Sequence, residues 1–172
     1  IKKFSKKFLP LHEPTLDFED KKILAKCIDS NFVSTVGIFV KKFEKKLSSI
    51  CGAKYIIPTS SGTAALEVAL RSLGVKKNHE ILLPSLTFVA SANSISSLGA
   101  IPHFIDVSLS SVCICEKKLE NYLIKIGRFN KKKQLINKKT KNIIKAIMPV
   151  HVYGDMANMP SIMKIAKKFN LK

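Results

Sequence analysis

From Lys54 onward, apolar residues recur with two alternating periods. The short run Lys54 to Pro58, carrying Tyr55, Ile56 and Ile57, is rich in aromatic and β-branched residues and predicts a buried strand. Ala64 to Leu73 then places Leu66, Ala69, Leu70 and Leu73 on one helical face, and Gly74 ends that helix. The pattern repeats. Glu80 to Pro84 predicts a second strand, and Ser85 to Asn93 turns into a helix reaching about Leu98. Ile101 to Asp106 predicts a third strand, and Leu119 to Ile126 belongs to a helix. Ile143 to Val150 predicts a fourth strand. Ala157 to Phe169 predicts a last helix with Ile162, Ile165, Ala166 and Phe169 inward. The lysine-rich stretch from Asn130 to Asn142 between them reads as a loop or an exposed hairpin. Strands that alternate with helices imply a parallel, helix-covered sheet, with ligands at the carboxyl ends of its strands. Those ends are Thr59–Thr63, Pro84–Phe88, Asp106 and His151–Gly154.

The first part of the chain has a different pattern. Residues 8 to 16 hold Pro10 and Pro14 and read as an extended arm. Asp17 is placed to cap a helix to about Ser30, with Phe18, Ile23, Leu24, Cys27 and Ile28 on its apolar side. Asn31 to Gly37 is a loop. A second amphipathic helix spans about Phe39 to Ile50, with Gly52 as its C-cap. Cys27 and Cys51 fall on apolar helix positions and read as buried thiols.

Ser60 to Thr63 forms a strand-to-helix turn. A hydroxyl of Ser60 or Ser61 is placed to cap the helix, and Gly62 allows a ligand to approach the backbone. The free N–H groups and the positive end of the helix dipole suit a phosphate. The spacing is neither that of a Walker loop nor that of a Gly-x-Gly-x-x-Gly fingerprint, and an ordinary capped helix explains the turn equally well on pattern alone.

Charge and composition narrow the choice of function. The net charge is +18, and Arg71 and Arg128 are the only arginines among 30 basic residues. Nucleic-acid binders combine arginine forks with aromatic platforms. Here scattered lysines, together with abundant Ile and Asn, fit a biased codon pool and a solvated surface. No apolar run approaches the roughly 18 residues of a membrane helix. Basic Ile1 to Phe8 lacks the apolar segment of a secretory signal. Cys113 and Cys115 form half of a metal-ligand pattern with no second half, and nothing implies disulfides. The expectation is a cytoplasmic protein without metal, nucleic-acid or membrane partner.

Seven stretches together resemble the DegT/DnrJ/StrS family of sugar aminotransferases, which depend on pyridoxal 5′-phosphate (PLP) and have fold type I. They are Pro10–Pro14, Phe32–Gly37, Phe43–Glu44, Ser61–Leu66, Pro84–Asn93, Gly99–Asp106 and Pro149–Gly154. The resemblance implies an α/β fold: the large domain of a fold type I aminotransferase, a mostly parallel sheet with helices on both faces. Residues 1–53 would be an N-terminal arm and helices, and 54–172 the first part of the PLP-binding domain. By the same resemblance Ser61, Gly62, Thr63 and Ala64 hold the cofactor phosphate, Phe88 stacks on the pyridine ring, and His151 and Tyr153 line the substrate side. The Ser34-to-Gly37 loop would lie near the active site. An amino-acid donor, with glutamate expected, and a keto nucleotide sugar would be the substrates, serving bacterial surface glycans. The intact protein would be a homodimer.

The family's Schiff-base lysine and its pyridine-pairing acid follow the next strand, so no residue here is assigned a catalytic role, and the chain reads as an N-terminal part lacking the small C-terminal domain. In that fold the first strand pairs with strands from later in the chain, so Tyr55 to Pro58 would lack partners and the fourth strand would expose an edge. A sugar dehydratase of the same family and a non-catalytic phosphate- or nucleotide-binding module are the alternatives.

Overall fold

A computed structural model describes residues 13–34 and 37–172. The chain divides into two compact units, 1–58 and 59–172. The extended arm of residues 8 to 16 lies mostly outside the described residues, as do Thr35 and Val36 of the loop ending at Gly37.

In the first unit, α1 spans Phe18–Asp29 and α2 spans Ile38–Cys51. Asp17 caps α1 through the N–H groups of Glu19 and Asp20, and Asp20 returns a bond to the Asp17 N–H at 2.9 Å. Gly52 ends α2 in the left-handed region, at φ 69°. Neither helix buries a residue. The apolar side expected to face inward is open: Phe18, Leu24, Ile28, Phe43 and Ile50 are all more than half exposed. This corrects the reading of the thiols too, since Cys51 is exposed and Cys27 only partly covered. Two helices do not supply the second layer that would bury such stripes.

Lys54 to Pro58 forms no strand. Tyr55 is 76% and Ile57 78% exposed. A β-rich sequence becomes a strand only when neighbours take its N–H and C=O groups, and among the described residues no strand is paired with these. The Tyr55, Ile56 and Ile57 amides are expected to exchange with deuterium at near-random-coil rates, while those of Ile81 to Leu83 are strongly protected. Protection of Tyr55 to Ile57 equal to that of the sheet would contradict this description.

The second unit is α/β. Its helices α3 (Gly62–Ser72), α4 (Val89–Ser96), α5 (Glu116–Ile126) and α6 (Met159–Lys168) surround a parallel sheet of β1 (Glu80–Pro84), β2 (Ile101–Ile105) and β5 (Ile144–Ile147), ordered β2-β1-β5. The central strand, β1, is buried along its whole length, as its continuous apolar run requires. On one face Leu82, Ile105, Ile144 and Ile147 pack with Leu119 and Leu123 of α5 and with Ile162 and Ile165 of α6. On the other, Ile81, Leu83 and Ala146 pack with Leu70 of α3 and Ile95 of α4. Pro102 leaves edge strand β2 one donor short, which blunts it against further pairing. Along the outer edge of β5, Lys172 donates to the Lys145 carbonyl at 3.1 Å and accepts from the Ile147 N–H at 2.9 Å.

The lysine-rich stretch is a hairpin of β3 (Gly127–Phe129) and β4 (Leu135–Asn137). It is anchored by Glu80, a carboxylate only 1% exposed at the start of β1. His103 Nδ1 lies 2.7 Å and Asn137 Nδ2 2.9 Å from its Oε2, and the Thr140 hydroxyl donates to Oε1. Tyr122 OH lies 2.8 Å from the other ring nitrogen of His103. Burial alone would raise the Glu80 pKa, but the bonds from His103, Asn137 and Thr140 outweigh it and hold the carboxyl at about 2.

Candidate functional site

The cleft that gathers the expected cofactor residues lies between the first turns of α3 and α4. It encloses about 770 Å³ and is lined by Ser61, Gly62, Thr63 and Phe88, with Leu66 and Ser91 among its walls. Ser61 is the N-cap of α3, and its hydroxyl accepts from the Ala64 N–H at 3.2 Å. Gly62 and Thr63 open the helix, where N–H groups have no acceptor within the helix. A Cβ added at Gly62 would meet no heavy atom within 4 Å, and no left-handed φ requires glycine there. The glycine therefore leaves space for something outside the protein, at the positive end of a helix dipole.

Phe88 precedes α4 as its N-cap residue and is 73% exposed on the cleft. A core phenylalanine would be covered, and this ring offers its surface to a planar partner instead. Thr87 donates to Ser91 at 2.8 Å, and Ser91 is buried, which fixes the turn from β1 into α4. Small residues Ala65, Ala69 and Ala90 complete the walls. Ala65 and Ala90 lie within the stretches Ser61–Leu66 and Pro84–Asn93, and Ala69 on the apolar face of α3, but the sequence assigned none of them to the site. Their signal was the spacing of small side chains on two neighbouring helices, which leaves a gap where larger residues would close it.

Ser61, Gly62, Thr63 and Phe88 are thus brought together, and Ala64 joins them through its N–H bond to Ser61. His151 and Tyr153 are not among the residues lining this cleft. They follow β5, His151 as the N-cap of a single 3₁₀ turn, Val152–Gly154, and Tyr153 within it, 77% exposed with a left-handed φ of 52°. That conformation is strained for an aromatic residue. His151 Nδ1 accepts the Ala157 N–H at 3.1 Å, so the ring proton resides on Nε2 and is available as a donor.

Asp106, at the carboxyl end of β2, pairs with Lys118 at 2.6 Å on the surface. The Lys118 bond and the Val107 N–H hold its carboxyl below the usual range, while Asp106 raises the Lys118 pKa. Neither a lysine nor a carboxylate among the described residues lines the α3–α4 cleft. Among the described residues, no three His, Cys, Asp or Glu side chains cluster as metal ligands, and no helix is long and apolar enough to cross a membrane. Cys113 is buried, with its thiol 3.8 Å from the Asp155 carbonyl.

The family model of the DegT/DnrJ/EryC1/StrS aminotransferases matches residues 14–172. GDP-perosamine synthase of Caulobacter vibrioides is 36% identical over 158 residues, covering 92% of this chain and 38% of its own length. An aminotransferase structure from Psychrobacter cryohalolentis superposes with a TM-score of 0.76 at 28% identity, covering 92% of this chain and 36% of that one. NtdA of Bacillus subtilis, solved with bound cofactor PMP, superposes with a TM-score of 0.73 at 29% identity, covering 90% and 32%. The chain spans about two fifths of the length of the curated relative it matches.

Proposed function

The chain belongs to the DegT/DnrJ/EryC1/StrS aminotransferase family, with the fold of its fold type I members, and from that premise we propose that its α3–α4 cleft seats PLP for the amination of a keto nucleotide sugar. One observation carries the reading: a helix N-terminus with free N–H groups, an unobstructed glycine and an exposed aromatic ring face one cleft. These residues fit the group. The Gly62 and Thr63 N–H groups take the phosphate, and Ser61 holds the turn by capping Ala64. Phe88 covers one face of the pyridine ring and excludes water from it. When bound, the cofactor supplies an electron sink and carries the amino group. His151 offers its Nε2 proton, and Tyr153 its hydroxyl, to the sugar side. The relatives' names support an aminated nucleotide sugar as product, and glutamate is the donor we propose. The intact protein would be a homodimer of the cytoplasm that needs neither nucleic acid nor membrane for this chemistry.

Incubating the intact protein with ¹⁵N-glutamate and a keto nucleotide sugar is expected to place ¹⁵N in the sugar and release 2-oxoglutarate, while these 172 residues alone are expected to transfer none. Loss of water without nitrogen transfer would identify a dehydratase, and cofactor binding with neither product a binding module. Since no lysine among the described residues lines the cleft, borohydride reduction of these 172 residues with PLP is expected to give no stoichiometric pyridoxyl-lysine. A single fully labelled lysine on peptide mapping would overturn that assignment of the cleft.

A further inference from the structure

Between Asn121 and Gly154 the chain carries nine basic residues and no carboxylate. Lys145 is half-buried, and the other eight are exposed. They lie at the end of α5, along β3, at the hairpin tip (Lys131, Lys132 and Lys133) and at its foot (Lys138, Lys139 and Lys141). Every ion pair among the described residues lies elsewhere. The frame beneath them is fixed. At the tip, Asn130 Oδ1 accepts the Lys132 N–H at 3.0 Å and the Gln134 N–H at 2.9 Å. At the foot, Asn137 Oδ1 accepts the Lys139 N–H at 3.0 Å, while its Nδ2 is tied to the buried Glu80 carboxylate.

Two of these lysines stand where their backbone is unfavourable. Lys133 has φ 56° and Lys141 φ 68°, a region in which asparagine is much better tolerated. Asparagine codons are as rich in A and T as lysine codons. A biased codon pool explains abundant lysine, but not lysine in place of asparagine at these two positions. A requirement for charge explains Lys133, while Lys141 also closes the foot of the hairpin, its Nζ donating to the Lys138 carbonyl at 2.5 Å. Phe129, 52% exposed on β3, stands among them.

We propose that this hairpin is a docking surface for an anionic lipid bilayer, its lysines meeting the headgroup phosphates and Phe129 entering the interface. Clustered lysines near an anionic membrane attract it additively, and an aromatic ring fits the headgroup layer. A nucleic acid fits less well. Arg128 is the only guanidinium of the nine basic residues, so forked phosphate and base contacts are scarce, and Phe129 alone makes no stacking platform. The surface is separate from the α3–α4 cleft and does not depend on the proposed catalytic activity.

The test is co-sedimentation of the chain with vesicles of phosphatidylcholine alone or with about one third phosphatidylglycerol. Binding to the anionic vesicles alone is expected, and its loss at high salt. Changing Lys131, Lys132 and Lys139 to Gln is expected to lower the partition coefficient on the order of 100-fold, at about fivefold per lysine. The same change at the exposed Lys117, Lys164 and Lys167 of α5 and α6 is the charge-matched control and should have far less effect. Lys133→Asn with Lys141→Asn removes two charges while relieving backbone strain, so a fall of about 25-fold there is not unfolding. Phe129→Ser should weaken binding without changing its salt dependence. No binding to anionic vesicles, equal losses in the control, or tighter binding to duplex DNA at equal phosphate concentration would each overturn the proposal.

Discussion

Replacing Glu80 with alanine is expected to destabilise the 59–172 unit by roughly 3–5 kcal/mol, the cost of breaking a buried pair from one side. The carboxylate joins three elements that nothing else joins in the same way: β1 through its own backbone, β2 through His103, and the hairpin and its foot through Asn137 and Thr140. Removing it leaves the Asn137 amide and the Thr140 hydroxyl without their acceptor, and His103 without its partner. Typical domains have only ~5–15 kcal/mol in total, so the variant should be close to unfolded at growth temperature. Glu80→Gln keeps the shape and two acceptor sites' worth of geometry on one oxygen, and should lose less. A urea melt followed by far-ultraviolet circular dichroism measures both. An unchanged midpoint for the alanine variant would show that the cluster holds nothing together.

The same residue sets an acid limit. Its folded pKa of about 2 lies below the model-compound value of 4.5. A depressed carboxylate stabilises the fold fully above its unfolded pKa, and that contribution is lost as pH falls from about 4.5 through 2. Its size is roughly 3 kcal/mol. Stability measured in urea should therefore fall across this window in the parent chain and stay flatter in Glu80→Gln.

Gly62→Val is expected to abolish the phosphate seat while leaving the fold intact. A Cβ added there meets no heavy atom within 4 Å, so the folding stability should change by less than about 1 kcal/mol. It fills the space in front of the first N–H groups of α3, where two charge-assisted bonds to a phosphate would form. Their loss corresponds to a fall in PLP affinity of about 100-fold or more. Calorimetric titration of both chains reads the difference. Equal affinity would place any bound cofactor elsewhere.

Much of the second unit was legible because its helices and central strand are decided locally. Ile162, Ile165, Ala166 and Phe169 recur at helical spacing and are all buried, and the unbroken apolar run of β1 required cover on both faces. Residues 54–58 form no strand for the complementary reason, one that the family resemblance already implied by leaving Tyr55 to Pro58 without partners. Their sequence states a preference, but a strand exists only with neighbours, and none pairs there. The Glu80 cluster was invisible because positions 80, 103, 137 and 140 meet through strand register, Leu82 standing opposite His103 and Glu80 opposite Ile101, not through any local pattern. Dense lysine likewise hid the inward side of the hairpin, where Leu135 and Asn137 are buried. At the cleft, the turn chemistry of Ser61 and Gly62 was readable from the sequence. The exposure of Phe88 beside it was implied only by the family resemblance, since on pattern alone an apolar residue in a strand-to-helix turn usually enters the core.

The most direct test of the phosphate seat compares PLP with pyridoxal, the same ring without phosphate, on the ¹⁵N-labelled chain. PLP is expected to bind and to shift the amide resonances of Gly62, Thr63 and Ala64, with pyridoxal at least tenfold weaker and silent at those amides. Equal binding of the two, or PLP-induced shifts confined to residues away from the start of α3, would contradict it.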